Sequence, residues 1–125
     1  MATNDFPEKN ALTEAVRLAD GLGRRVSVVL HQRRNVLPQI FADTMALATP
    51  TRVARVRRVY GSERIDFASG GNIRFFAPPR TIAGDSADVL VLSDELTEEQ
   101  REYCIPAIVT SKNPAVIQLG DLANR

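Results

Sequence analysis

Two adjacent carboxylates, Asp94 and Glu95, follow the apolar run Val89-Leu90-Val91-Leu92 in a chain of 125 residues. A short apolar run bounded by polar residues predicts a strand buried on both faces. Its carboxyl end is where ligands bind in open α/β sheets. An acid there can hold the magnesium that bridges nucleotide phosphates, the role open to Asp94. A second acid can polarise an attacking water, the catalytic role open to Glu95. The competing reading is an ordinary core strand followed by a solvated acidic turn, and so short a motif does not separate the two.

Arginine supplies the second candidate chemistry, because its planar, always-charged guanidinium matches phosphate. Eleven arginines lie between residues 24 and 80, against Asp43, Glu63 and Asp66. Beyond residue 80 the sign reverses, with eight acids against Arg101, Lys112 and Arg125, while the whole chain carries a formal +1. Such segregation makes a two-signed surface suited to nucleic acid or a charged partner, unless the segments intermix in three dimensions. Arg33 and Arg34 follow a central strand at its ligand-binding end. Arg52, Arg55, Arg57 and Arg58 do not alternate strictly, so they occupy both faces of their strand and predict a protruding, two-sided hairpin. Arg74 and Arg80 complete the candidate nucleic-acid-binding set. Charge that guards an edge strand against aggregation is the alternative for the hairpin.

Other chemistries are poorly supplied. One histidine and one cysteine exclude a zinc site of nitrogen and sulfur ligands. His31 ends a strand with no acid or nucleophile visibly paired with it, and reads as structural. Cys104 reads as a small core residue that cannot form an internal disulfide, which fits a reducing, cytoplasmic setting. No nucleophile signature surrounds any serine or cysteine. Aromatics make up 6% and tryptophan is absent, which argues against extended base-stacking platforms. No apolar run approaches the ~20 residues of a membrane span. Residues 1–5 lack the basic and apolar regions of a secretory signal.

The elements that must position these residues follow from composition and periodicity. With 44% apolar and 25% charged residues, the chain predicts one globular domain over 1–125. Residues 6–23 predict a helix, with Ala11, Leu12, Ala15, Val16, Leu18, Ala19 and Leu22 at three- and four-residue spacing and Gly21 and Gly23 at its end. Residues 25–31 predict a buried strand, and 35–48 a second helix with Pro38 in its first turn. Three β-rich runs, 52–60, 64–68 and 72–76, are separated by Gly61-Ser62 and Ser69-Gly70-Gly71 and predict an antiparallel meander. After a loop over 81–87 comes the strand 88–92. Thr97 and Gln100 then form a capping-box pattern, Pro106 kinks or divides the helix that follows, and 115–119 form a last strand. This order predicts an α/β fold: a mainly parallel sheet with flanking helices and a small antiparallel β-meander. Strands 26–30, 89–92 and 116–119 are expected at its centre.

Three segments, taken in order, resemble the ATPase domain of phage terminase large subunits, which package viral DNA. Ile82-Ala-Gly-Asp-Ser-Ala-Asp-Val-Leu-Val-Leu-Ser-Asp-Glu95 is similar to the loop and Walker B strand of that family. Gly70-Gly-Asn-Ile-Arg-Phe-Phe76 resembles its GS-x-I-x-F hairpin strand. Ser111-Lys-Asn-Pro-Ala-Val-Ile-Gln-Leu-Gly120 resembles the NP-x-hhh-x-G strand that couples ATP state to DNA movement, with Gly120 as its glycine. The resemblance covers roughly residues 24–122 and implies a RecA-like P-loop NTPase fold.

The departures shape the functional expectation. No G-x-x-x-x-G-K-[ST] loop is present, Glu8-Lys9-Asn10 is no substitute, and the chain begins about where that loop would end. The first strand and the phosphate-binding loop are therefore expected to be missing. Ala83 stands where an arginine is usual, Ser93 separates the apolar strand from its acids, and the polar hydroxyl of the coupling strand is replaced near Asp121. No nuclease domain follows. The resemblance thus implies a phage or prophage terminase-like domain in the cytoplasm of a bacterial host. It would need no cofactor in isolation, would not hydrolyse ATP alone, and would act by binding DNA or protein. One alternative is a subunit completed in trans by a chain carrying the P-loop, where Asp94 and Glu95 would serve ATP and Mg2+. Another is a regulatory protein docking on a terminase or helicase, or on its own copy, through an exposed sheet edge.

Overall fold

The computed structural model describes residues 7–59, 62–78 and 80–120. Pro7 opens helix α1 (Pro7–Val16), which passes into a π-helical turn over Arg17–Gly21. Gly23, at φ 68°, turns the chain into strand β1 (Arg25–Val29), a conformation glycine adopts without steric cost. Helix α2 (Leu37–Leu47) follows with a proline in its first turn, where no intrahelical N–H is lost. Next come β2 (Val53–Arg57), β3 (Arg64–Phe67), β4 (Asn72–Phe76) and β5 (Val89–Leu92).

Helix α3 (Glu98–Cys104) starts on the expected capping box. The Thr97 hydroxyl accepts from the Gln100 N–H at 3.1 Å, and the Gln100 side chain accepts from the Thr97 N–H at 2.8 Å. Pro106 divides the helix: a 3-10 turn over Ile105–Ile108 replaces its continuation. Strand β6 (Ala115–Gln118) ends the described chain's regular structure.

All six strands join one sheet in the order β2-β3-β4-β1-β5-β6. Strands β4, β1, β5 and β6 are parallel, whereas β2-β3-β4 form the antiparallel meander. The architecture is therefore α/β with a mixed, mostly parallel sheet and three helices. One expectation needs correction. The strand over 116–119 was expected at the centre, but β6 lies at the edge of the described sheet and β4 takes the place beside β1. Two reversals, β2 to β3 and β3 to β4, restore the parallel direction, so the last meander strand can pair with β1.

Alternation along the strands splits the core in two. On one face Val26, Val28, Ile65, Phe67, Ile73, Phe75, Val89 and Val91 pack with Leu12, Ala15, Leu37, Ile40 and Phe41 from α1 and α2. On the other, Phe76, Leu90 and Leu92 pack with Ile82, Leu96, Cys104 and Ile108 from the β4–β5 loop and the α3 segment. Each fully buried Leu, Val or Phe contributes about 1.5–3 kcal/mol. Over β2 and β3 this second face carries charge in place of apolar side chains.

Candidate functional site

Strands β1 and β5 run parallel and in register, with Val29 opposite Leu92. The chain leaving β1 enters α2 on one face, and the chain leaving β5 enters α3 on the other. Their carboxyl ends therefore flank a topological switch point, the crevice where open α/β sheets bind ligands. His31 stands at the end of one strand, and Ser93, Asp94 and Glu95 at the end of the other.

The fully buried Ser93 hydroxyl ties the two ends together. It donates to Glu95 Oε1 at 3.4 Å, accepts from the Glu95 N–H at 3.2 Å, and lies 3.1 Å from His31 Nδ1. His31 Nδ1 also lies 3.9 Å from Glu95 Oε1. Gln32 Nε2 lies 3.2 Å from His31 Nε2. His31, Ser93 and Glu95 thus form a polar link between the carboxyl ends of β1 and β5. The sequence alone shows no partner for His31; the β1–β5 register supplies Ser93, 62 residues away.

Asp94 turns elsewhere, and its Oδ1 accepts from Gln118 Nε2 on β6. Asp94 is thus held by β6 and Glu95 by Ser93 in its own loop. Among the described residues no group of three or more His, Cys, Asp or Glu could hold a metal ion. Gly120, just beyond β6, has φ 108°, a conformation suited to glycine. Asp121 lies outside the described residues.

The arginines separate into groups. Arg33 pairs with Glu63 at 2.7 Å, each side chain only 10% exposed, so its charge is turned inward. Arg34 is exposed at the sheet's carboxyl end. Arg52 binds Asp20 at 2.7 Å, and Arg58 lies 5.1 Å over the Phe41 ring. Both therefore belong to the helix-covered face.

Arg55 and Arg57 take the opposite face, because the irregular register between Val53 and Arg55 resets the alternation. There Arg57 pairs with Arg64, and Arg64 with Arg74, so three guanidinium groups lie in one row across β2, β3 and β4. Arg74 donates to Asp85 at 3.1 Å and to the Ser86 carbonyl. Burial lowers its pKa; Asp85 opposes that, while the charges of Arg64 and Arg25 add to it. Arg64 donates to Asp66 at 2.7 Å, and Arg80 lies 4.4 Å over the Phe76 ring. Arg57, Arg64, Arg74 and Arg80 together line a cavity of about 160 Å³ with Ser62, Glu63 and Asp85. Arg64 was absent from the candidate set. Its alternation with Ile65 and Asp66 was visible in the sequence, but the neighbouring register was not.

Comparison with known proteins gives no assignment. The chain matches no family model, no curated protein and no solved structure. No described helix is long and apolar enough to cross a membrane.

Proposed function

We propose that this chain is a terminase-like domain with a RecA-like core that binds nucleic acid through the arginine-bearing face of β2, β3 and β4. The row Arg57, Arg64 and Arg74 carries the reading. Like charges directly opposite on neighbouring strands destabilise a sheet, and a polyanion lying across them removes that cost. Arg55 extends the row's face, and Arg80 borders it. The three segments that resemble terminase ATPases contain β4, β5 and β6 and lie in one sheet, which supports a shared body. The separate partners of Asp94 and Glu95 favour binding over hydrolysis by the chain alone. A phage or prophage origin, with the bacterial cytoplasm as its setting, belongs to the same proposal.

Anisotropy of labelled single- and double-stranded DNA tests it. With about four phosphate contacts, affinity should fall roughly a hundredfold between 50 and 200 mM salt, and Arg55→Ala with Arg57→Ala should reduce the salt slope by about two. Absence of salt-sensitive binding to either DNA ends the nucleic-acid reading, and robust ATP turnover by the purified chain ends the non-catalytic one. A second reading, docking of a protein strand, is favoured by β6. Among the described strands it pairs only with β5, and its Val116 is 44% exposed.

A further inference from the structure

Arg80 is a wall shared by two cavities of opposite character. On one side lies the arginine cavity of about 160 Å³. On the other lies an apolar cavity of about 250 Å³ beneath α3, lined by Val29, Leu30, Pro78, Ile82, Leu96 and Tyr103 among others. Neither alone reaches the ~300 Å³ at the lower limit of ordinary small-molecule sites, and Arg80 is the one lining residue they share. The Arg80 guanidinium lies 4.4 Å over the Phe76 ring.

The charges also specify the occupant. Arg33, Arg57, Arg64, Arg74 and Arg80 gather around Glu63, Asp66 and Asp85. Around the arginine cavity five guanidinium groups against three carboxylates leave two positive charges uncompensated, while Glu99 on the wall of the apolar cavity places one negative charge at its other end. Each acid is already held by an arginine: Glu63 by Arg33, Asp66 by Arg64 and Asp85 by Arg74. Among the described residues, Arg57 and Arg80 show no carboxylate partner. A phosphomonoester carries about −1.5 to −2 near neutral pH, whereas a diester within a strand carries about −1. The surplus therefore matches a terminal phosphate better than an internal one. Arg74 Nε is buried and without a hydrogen-bond partner.

We infer that the two cavities together form a nucleoside monophosphate site, with the phosphate among Arg57, Arg64, Arg74 and Arg80 and the base in the apolar cavity under α3. The ligand is either a free nucleotide or the phosphorylated end of a single strand. The strand-end form rests on the nucleic-acid reading above; the free-nucleotide form does not.

Amide NMR titration of the full chain tests the inference with 2′-deoxyadenosine 5′-monophosphate, deoxyadenosine and inorganic phosphate. The nucleotide should move Leu30, Ile82 and Tyr103 together with Arg57, Arg64 and Arg74, along one saturation curve. Phosphate should move only the arginine group and deoxyadenosine only the cavity group, each binding at least tenfold more weakly. Arg80→Ala should weaken the nucleotide at least tenfold, and Thr81→Trp, which crowds the apolar cavity, should reduce it toward the phosphate value. Nucleotide binding no tighter than phosphate, or confined to one group, overturns the inference. A 5′-phosphorylated oligonucleotide that outcompetes its hydroxyl-ended twin identifies a strand end; equal competition identifies the free nucleotide. Salt-sensitive DNA binding without the coupled nucleotide response refutes this site alone, and the coupled response without DNA binding refutes only the polymer reading.

Discussion

Asp88, at the amino end of β5, shows how single side chains hold the sheet together. Burial pushes its carboxyl pKa up, but the Arg25 N–H at 3.0 Å, the Arg25 side chain and the Ser111 hydroxyl at 2.9 Å pull it below the ordinary value. A carboxylate with a depressed folded pKa stabilises the protein above its unfolded value, near pH 3.9, and loses that contribution as pH falls through the folded one. Asp88→Asn should therefore flatten the acid side of the stability curve below about pH 4 and lower stability at neutral pH. Urea denaturation across pH 2–7 checks this, and an unchanged acid slope would show that Asp88 is not a principal titrating group. The polar links of Arg33 with Glu63 and of Ser93 with His31 work at the same scale, each joining elements distant in sequence.

At the scale of elements, the β3–β4 turn docks on the π-helical turn that ends α1. Ser69 donates to the Ala19 carbonyl at 2.9 Å, and the Asn72 N–H donates to the Arg24 carbonyl at 3.1 Å. Gly71 lies between them: a Cβ there would collide with the Ala19 carbonyl oxygen and come within 2.8 Å of the Arg24 carbonyl oxygen. Both obstacles are backbone, so Gly71→Ala should cost on the order of 3 kcal/mol or more. Gly70→Ala has open space around its Cβ and meets only the strain of φ 98°, about 1 kcal/mol. Denaturation midpoints of the two variants compare the mechanisms directly; equal losses would mean that the turn can shift away from α1.

Across the whole molecule, the charge segregation of the sequence persists in part. The basic row occupies the meander end of the sheet, while exposed Glu98, Glu99 and Glu102 lie on α3 and β6 borders the far edge. Ala115 and Leu119 direct their N–H groups at β5, so strand alternation turns the Val116 N–H outward. Val116→Pro would remove that outward donor while sparing the β5 ladder. If a second copy pairs on this edge, sedimentation should show concentration-dependent association in the wild type and its loss in Val116→Pro. A wild type that stays monomeric at every concentration removes self-pairing.

Local chemistry was legible in the sequence. Helix periodicity, the Thr97–Gln100 capping box, the break at Pro106 and the β3–β4 turn at Gly70 all depend on near neighbours, so the order of elements followed from them, while Gly61 lies outside the described residues. Three features were decided only by tertiary structure: the edge position of β6, the divergence of Asp94 and Glu95, and the arginine row. Each depends on which strands become neighbours and in which register, and that is set by crossovers spanning tens of residues. The same acids and arginines can make a phosphate site or a set of scattered surface charges; only the packing of the sheet selects between them.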